Sequence, residues 1–370
     1  MNGKILYKRI YEDLVNKIKI GEYKDGDYLP AQEELSRQYD VSLVTIKKAV
    51  EYSEKAGILV RQKGKRAQIS AKSISVCNCK ILMLNIVARS RASLKKQTEQ
   101  KPKLKLTIEN SWYSQIINAL VSSLPAGVDY LEASYYRDQV LDDYENTIIP
   151  KYDRILLFGN KNQKMIDFLR DKGKKIAVFG NFSLKNCAIV TNNDRDISRM
   201  AVNYLISLGH KRIAFIGSDS AVSGDFSERY YGYREALTKA NLANDGSMIR
   251  WCKRAIADEG YNNMADILYA SFYSRPTAVF CANDHIAYGA LVAIRDNGYE
   301  CPRDISIIGV DNSLEICKKT EPTLSSIDKN FRLAGVKLAE ILTRSQWKDD
   351  KSLIKCDLVI RESAQEPKNR

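Results

Sequence analysis

Hydrophobic residues recur at two different periods along this chain, and the change of period divides it. Tyr7, Ile10, Leu14 and Ile18 fall three and four apart and predict an amphipathic helix near residues 4 to 20, closed by Gly21. The turn Gly26-Asp27-Tyr28-Leu29-Pro30 leads into a short helix carrying Leu35 and Tyr39, with Pro30 at a position that helices tolerate at their start. Asp40-Val41-Ser42 interrupts that helix. Ser42 can accept a hydrogen bond from a free backbone N–H and so cap a third helix, running to Ala56 with Ile46, Ala49 and Val50 inward and Gly57 suited to its left-handed C-cap. Ile58-Leu59-Val60 and Ala67-Gln68-Ile69 then read as two strands joined by the basic turn Gln62-Lys63-Gly64-Lys65-Arg66, which makes the segment a winged helix-turn-helix.

From Lys80 onward the period switches to short apolar runs separated by helical stretches, the signature of a parallel sheet built from β-α-β units. The strand candidates are Ile81-Leu82-Met83-Leu84, Ile155-Leu156-Leu157-Phe158, Ile176-Ala177-Val178-Phe179, Ile213-Ala214-Phe215-Ile216, Ala278-Val279-Phe280 and Ile305-Ser306-Ile307-Ile308. Helices are clearest near residues 111 to 124, 195 to 208, 228 to 240, 284 to 297 and 330 to 345. The fold class is α/β, with ligands expected beyond the carboxyl ends of the parallel strands.

A chain of 370 residues accommodates at least two such domains. Its formal charge of +13 is uneven: residues 1 to 72 carry fifteen Lys or Arg against ten Asp or Glu, and residues 73 to 110 carry eight against two. A basic excess concentrated at one end fits a nucleic-acid footprint better than a uniform one. The start turns charged before an apolar run of signal-peptide length develops, and no stretch is apolar for long enough to span a bilayer, so a cytoplasmic location is expected. Eight Cys without dense spacing suit a reducing compartment, and Cys77-Asn78-Cys79 lacks the further ligands of a metal site.

The candidate chemistry starts with Ser42-Leu43-Val44-Thr45-Ile46-Lys47-Lys48, a capped helix with one apolar and one polar side that would enter a major groove, while the basic turn reaches phosphates or a minor groove. Solvation of a helix face is the plain alternative for Lys47 and Lys48. The order of elements favours the DNA reading, and the segment resembles the DNA-binding domain of the GntR family of bacterial regulators. Gly26, Asp27, Leu29, Pro30, Leu35, Val41, Ser42, Thr45, Ala49, Gly57 and Gly64 all fit its Gly-Asp-x-Leu-Pro, Val-Ser-x-x-Thr and Gly-rich wing pattern. The resemblance implies DNA contacts from Gln32, Glu33, Ser42, Leu43, Thr45, Lys47, Lys48, Lys63, Gly64, Lys65 and Arg66. Ala31-Gln32 replaces the family's Ser-Glu, and Leu43 and Lys47 stand where it carries Arg. Lys is a point charge and Arg a planar fork, so Lys47 is expected to sit on phosphate more than to read bases. Ser53 occupies a position where the family has a core Leu.

In the second part, Asn283-Asp284 follows one strand and Arg229 precedes a helix after another. Asp284 alone reads equally well as a helix-capping residue. An Asp and an Arg aimed at one crevice, with an aromatic beneath, would clamp a sugar. Leu208-Gly209-His210-Lys211-Arg212-Ile213-Ala214, Arg229-Tyr230-Tyr231-Gly232-Tyr233, Pro276-Thr277-Ala278, Asn283-Asp284, Ala287, Gly289-Ala290, Pro302, Asp304-Ile305-Ser306, Gly309, Asp311, Leu324-Ser325-Ser326-Ile327 and Leu358-Val359-Ile360-Arg361-Glu362-Ser363 resemble, in order, the effector domain of the LacI/GalR family. That resemblance covers nearly all of residues 79 to 365 and implies a two-lobed, periplasmic-binding-protein-like domain that dimerises. By position it places effector contacts at Arg229, Asp284, the aromatic pair Trp112 and Tyr113, Lys329, and Phe331 at the lobe crossover. Asn193-Asp194 inverts the family's Asp-Asn, so no contact is carried over there. The basic loop of residues 88 to 109 has no family counterpart; it reads as a solvated loop, with a lid or anion contact as the alternative.

Two His, at 210 and 285, leave no His-based metal site or catalytic triad, and no Gly-x-x-x-x-Gly-Lys-Ser/Thr phosphate loop is present. The chain therefore reads as a regulator, not an enzyme, and no cofactor is expected. The combined parts resemble AraR-type arabinose repressors. This implies a homodimer on near-palindromic operator DNA, released by a sugar such as a pentose, with sugar-driven activation as the alternative. A sugar-binding protein without a DNA role shares the two-lobed fold but would not carry the winged helix. The expected boundaries are residues 1–70 for the reader, 71–78 for a linker and 79–370 for the effector domain, with lobe one at 79–187 and 329–345 and lobe two at 188–328 and 346–370.

Overall fold

The computed structural model describes residues 3–19, 22–55, 58–61, 66–70, 79–87, 112–125, 128–136, 147–159, 161–180, 183–218, 225–270 and 275–368. Lys63, Gly64 and Lys65 of the wing, the linker 71–78, the helix-closing Gly21 and Gly57, and the loop 88–109 lie outside the described residues. The chain divides into two compact units, the first built on residues 1–80.

In the first unit, α1 (Gly3–Lys19), α2 (Gln32–Gln38) and α3 (Leu43–Lys55) precede β1 (Leu59–Val60) and β2 (Gln68–Ile69), which pair antiparallel with Leu59 opposite Ile69. The apolar stripe reads directly onto the core: Ile10, Leu14, Val15 and Ile18 of α1 meet Leu35 of α2 and Ile46, Ala49 and Val50 of α3. Side chains of this size contribute about 1.5–3 kcal/mol each when fully buried. Gly26 has φ +90, a left-handed conformation that costs a glycine nothing. The Asp27 carboxylate accepts the Lys24 N–H at 2.6 Å, and the segment then joins the wing through Ile69 N–H to Asp27 O at 2.7 Å and Leu29 N–H to Ala67 O at 2.9 Å. Ser53, the polar replacement in the core, is fully buried and satisfies its hydroxyl on the Ala49 carbonyl at 2.8 Å.

The second unit contains two six-stranded sheets. The first runs β13-β7-β6-β5-β3-β4, made of β3 (Lys80–Val87), β4 (Asp129–Tyr136), β5 (Arg154–Gly159), β6 (Lys175–Phe179), β7 (Ala188–Thr191) and β13 (Lys351–Leu353). The second runs β14-β12-β11-β10-β8-β9, made of β8 (Ile213–Ser218), β9 (Ile249–Cys252), β10 (Ala278–Cys281), β11 (Ser306–Val310), β12 (Ser325–Asp328) and β14 (Asp357–Val359). In the first sheet β3, β5, β6, β7 and β13 pair parallel in turn, and in the second every neighbour pairs parallel except β12 with β14. Lobe one carries α4 (Trp112–Ser123), α5 (Gln163–Asp171) and α11 (Phe331–Thr343); lobe two carries α6 (Asp194–Ser207), α7 (Asp225–Lys239), α8 (Ala257–Ala270), α9 (Asp284–Asp296) and α10 (Leu314–Cys317).

Two boundaries expected from sequence move. Residues 188–191 form β7, fully buried and parallel to β6 in the first sheet, and β13 adds to β7 with Lys351 opposite Ile189. Both segments belong to lobe one, not lobe two. The chain crosses between lobes after Thr191, after Asp328 and after Leu353. Among the described residues no helix is long and apolar enough to cross a membrane.

Candidate DNA-reading face and effector site

On the reader, Ser42 is the N-cap of α3: its Oγ accepts the Thr45 N–H at 3.3 Å and lies 2.9 Å from the Thr45 hydroxyl. Ser42, Lys47 and Lys48 are exposed while Ile46, Ala49 and Val50 are buried, so the polar side of α3 is free. Leu43 and Val44 are exposed too, at 40 % and 62 %, an apolar pair at the helix start able to meet a thymine methyl. Gln32 and Glu33 begin α2 and, with Arg61 and Arg66, line a groove of about 430 Å³ that also contains Pro30. The structure thus brings Gln32, Glu33 and Arg66 together, with Ser42, Leu43, Thr45, Lys47 and Lys48 on the neighbouring helix.

In lobe two, the ends of the parallel strands collect charge. Arg229 of α7 is 3 % exposed; its Nε donates to Asp194 Oδ1 at 2.7 Å, its Nη1 to the Ala282 carbonyl, and its guanidinium lies 5.0 Å from the Phe226 ring. Asp194, the first residue of α6, is itself buried, so Arg229 is held by an ion pair to a residue for which the sequence carried no effector contact. Losing one partner of such a pair costs about 3–5 kcal/mol.

Asp284 differs from expectation. It begins α9 behind the Asn283 N-cap and is 1 % exposed. Its Oδ1 accepts the Ser326 hydroxyl at 2.6 Å, and its Oδ2 accepts the Ser313 N–H at 2.7 Å and the Cys317 thiol at 3.4 Å. Burial, reinforced by the nearby Asp311 carboxylate, pushes its pKa up to about 8 against the pull of those three donors. Both oxygens have partners within the lobe, so Asp284 braces β12 and α10 against α9.

The carboxyl better placed for a ligand is Asp311, which sequence reading used only for register. It follows β11 directly and has φ +106, a conformation rarely adopted by a residue with a Cβ and a recurrent mark of functional sites. Burial raises its pKa above the usual carboxylate range, while Lys329, Arg229 and His285 favour its charge and Asp194 opposes it. His285 in turn is held below its ordinary range by burial, with Asp311 pulling the other way. His210, by contrast, is a structural residue: its two ring nitrogens lie 2.9 Å from Thr277 Oγ1 and 2.9 Å from the Gln365 carbonyl oxygen.

Lobe one supplies an aromatic wall. Trp112 stacks on Phe179 with centroids 5.9 Å apart and lies 6.2 Å from Phe331, and it is 39 % exposed where the other two are buried. Tyr113 is edge-on to Phe158 at 5.0 Å and donates its hydroxyl to Glu132 at 2.9 Å. Lys329 joins the two groups: it is 7 % exposed, its ammonium is 5.5 Å from the Phe331 ring, and its charge reaches Asp311.

The three crossovers are tied by Asn192, which sequence reading missed. Its buried Nδ2 lies 3.0 Å from the Lys329 carbonyl, 3.0 Å from the Ile354 carbonyl and 3.2 Å from Cys356 Sγ, one group on each of the other two crossings and a second on the last. Its Oδ1 is buried without a hydrogen-bond partner. Asn330, at φ +51, adds bonds to the Lys355 carbonyl at 2.7 Å and to Asp357 at 3.0 Å.

Comparison with known proteins agrees with this division. Residues 6–69 match the bacterial regulatory proteins of the gntR family, and residues 202–364 match the periplasmic binding protein-like domain. The HTH-type transcriptional repressor PurR of Histophilus somni is 33% identical over 185 residues, 48% of this chain and 54% of that protein. The probable HTH-type transcriptional repressor ExuR of Bacillus subtilis is 27% identical over 235 residues, 60% of this chain and 68% of that one. The chain thus spans about half the length of the PurR relatives it matches. A crystal structure of a LacI-family regulatory protein from Chloroflexus aggregans superposes with a TM-score of 0.64 at 25% identity, covering 76% of this chain and 98% of that one. This chain joins a gntR-family helix-turn-helix DNA-binding domain to a periplasmic-binding-protein-like effector domain of the LacI type.

Proposed function

We propose that the protein is a ligand-responsive transcriptional repressor, a regulator with no catalytic role, acting as a cytoplasmic homodimer on near-palindromic operator DNA and released by a sugar such as a pentose. The observation that carries the effector reading is the Asp311 carboxyl at the end of β11, within the field of Lys329 and Arg229 and linked through Lys329 to the wall of Trp112, Phe179 and Phe331. A carboxylate and cations for hydroxyls, with a half-exposed indole for the apolar face of a ring, are the groups a pyranose or furanose needs. Repression is favoured over activation because PurR and ExuR, the relatives matched here, are both named as repressors. Arg229 and Asp284 serve this site as its framework, Arg229 through Asp194 and Asp284 through Ser326.

The test is fluorescence anisotropy on a labelled operator from upstream of the chain's own gene, titrated with a panel of pentoses, hexoses and uronic acids. One of them is expected to release the DNA, and Asp311→Asn should abolish release while operator affinity without sugar stays unchanged. A panel that releases nothing sinks the sugar reading. An operator bound no better than random DNA sinks the repressor reading.

A further inference from the structure

Lobe two has a cavity at the opposite end of its sheet from Asp311. Its volume is about 450 Å³, and it lies where the chain enters β8, β10 and β11. Lys211 and Arg212 come from the β8 entry, Arg275 from the β10 entry, Arg303 from the β11 entry and Lys368 from the C-terminal segment; among the described residues, Asp304 is the one carboxylate in the lining. That carboxylate is already engaged, with Lys368 Nζ at 3.3 Å and the Glu300 N–H at 3.0 Å, and Arg303 pairs with Glu300 at 2.8 Å.

The remaining three cations have no carboxylate partner among the described residues. Four other arginines of the same lobe are neutralised: Arg195 by Glu228 and Glu235, Arg199 by Asp196 and Glu235, Arg229 by Asp194, Arg254 by Glu259. Arg275 is also built in. Its guanidinium lies 4.3 Å from the centroid of the Tyr299 ring, its Nε is buried and has no hydrogen-bond acceptor, and its carbonyl receives Arg212 Nε at 2.8 Å. The Arg212 carbonyl receives the Thr277 N–H at 2.9 Å, so the two arginines are zipped together at the backbone. A buried guanidinium donor left unpaired costs free energy that a bound acceptor would return. The local field is positive enough that Asp304 stays below the usual carboxylate range: burial opposes this, but the Glu300 amide, Lys368 and Arg303 outweigh it.

Two planar guanidinium forks can each take a pair of oxygens of one phosphoryl group, whereas a carboxylate offers only two oxygens in all, and an adjacent Lys adds charge without geometry. We infer that the cavity entered by Lys211, Arg212 and Arg275 is a phosphate-binding site, separate from the effector site, for inorganic phosphate or the phosphoryl group of a small phosphate monoester. The volume exceeds what a bare phosphate fills, which leaves room for the organic part of a monoester.

Isothermal calorimetry on the full chain at low ionic strength tests this with inorganic phosphate, glycerol 3-phosphate and a sugar phosphate. Saturable binding is expected, weakened roughly 10-fold to 100-fold by Arg212→Gln with Arg275→Gln and several-fold by the solvent-exposed Lys211→Gln, which leaves the stacked Arg275 and hence the fold untouched. Lys47→Ala in the reader should leave the phosphate isotherm as in wild type. Tighter binding of a monoester than of phosphate identifies the organic ligand, and equal binding identifies the free ion; either supports the site. The inference is overturned by absence of saturable heat up to about 20 mM of each probe, by isotherms that Lys211→Gln and the double variant leave unchanged, or by loss of phosphate binding in Lys47→Ala.

Discussion

Asp284→Asn should make the protein less sensitive to alkaline conditions, and the size of the effect follows from the burial of one carboxyl. The native Asp284 carboxyl titrates near 8, against about 3.9 in an unfolded chain. Between those values the folded protein keeps a proton that the unfolded chain has released, so stability falls as pH rises through the window, at up to about 1.4 kcal/mol per pH unit. Over the whole window the loss is on the order of 5 kcal/mol. An amide is a permanent mimic of the neutral acid and fits the same partners. Its oxygen can take the place of Oδ2 and accept the Ser313 N–H, while its NH₂ donates to Ser326 Oγ, which already accepts the Asn312 N–H at 3.1 Å. Lobe two can be followed by Trp251, which sits edge-on to Tyr230 at 5.2 Å, once Trp112 and Trp347 of lobe one are replaced by Phe. Urea midpoints measured from about pH 5 to pH 9 should converge for the two proteins at the acid end and separate progressively above it, the variant ending higher. His210 and His285, both held low by burial, act in the opposite sense: the unfolded chain takes up their protons first, so they add stability as pH rises towards about 6.5. They are common to both proteins and drop out of the difference. Parallel curves across the range would refute the argument, because they would mean that Asp284 is ionised in the fold at neutral pH.

Three further outcomes follow. Gly309→Ala would place a Cβ 2.3 Å from Asp284 Oδ1, so it should lower the stability of lobe two by about 1–3 kcal/mol, read from its urea midpoint, and Asp284→Asn should not rescue it because the clash is steric. Asn192→Asp keeps the shape of the crossover clasp but turns an oxygen towards the Lys329 and Ile354 carbonyls; it should weaken effector binding roughly tenfold by calorimetry while operator affinity without effector is retained, and equal effector affinity would rule the clasp out. Lys47→Ala should lower operator affinity by a similar factor across different sequences and reduce the slope of log affinity against log salt by about one, whereas a sequence-selective loss would make Lys47 a base reader.

How much of this could be read from sequence depends on how far apart the interacting residues lie. The turn at Gly26 to Pro30 and the Ser42 cap are legible because their partners are close or on the adjoining hairpin: Asp27 caps Lys24 three residues away, and Ser42 caps Thr45. The central strands are legible because both faces are covered, which makes runs such as Ile155-Leu156-Leu157-Phe158 continuous. The edges are not. β13 alternates exposed and half-buried positions over Lys351-Ser352-Leu353, too short a pattern to stand out, and β7 is only four residues, so the lobe boundary was drawn on the wrong side of it.

The site shows the same dependence more sharply, because its residues are defined by their partners. Arg229 and Asp284 look equivalent in sequence, each a charge at the mouth of a sheet. In the fold, Arg229 is balanced by Asp194, 35 residues earlier, while Asp284 is saturated by Ser313 and Ser326, 29 and 42 residues later. Neither then has much capacity left for a ligand. Asp311 faces cations that are shared or delivered from the crossover: Arg229 is committed to Asp194, and Lys329 is anchored through its own carbonyl by Asn192. Asp311 is thus the carboxyl whose counter-ion sits on a crossover between the lobes. On the proposed effector reading, a ligand that engages Asp311 would compete with Lys329, and Lys329 is joined through Asn192 to the remaining crossovers, so occupancy at the end of β11 would reach those crossovers through two residues.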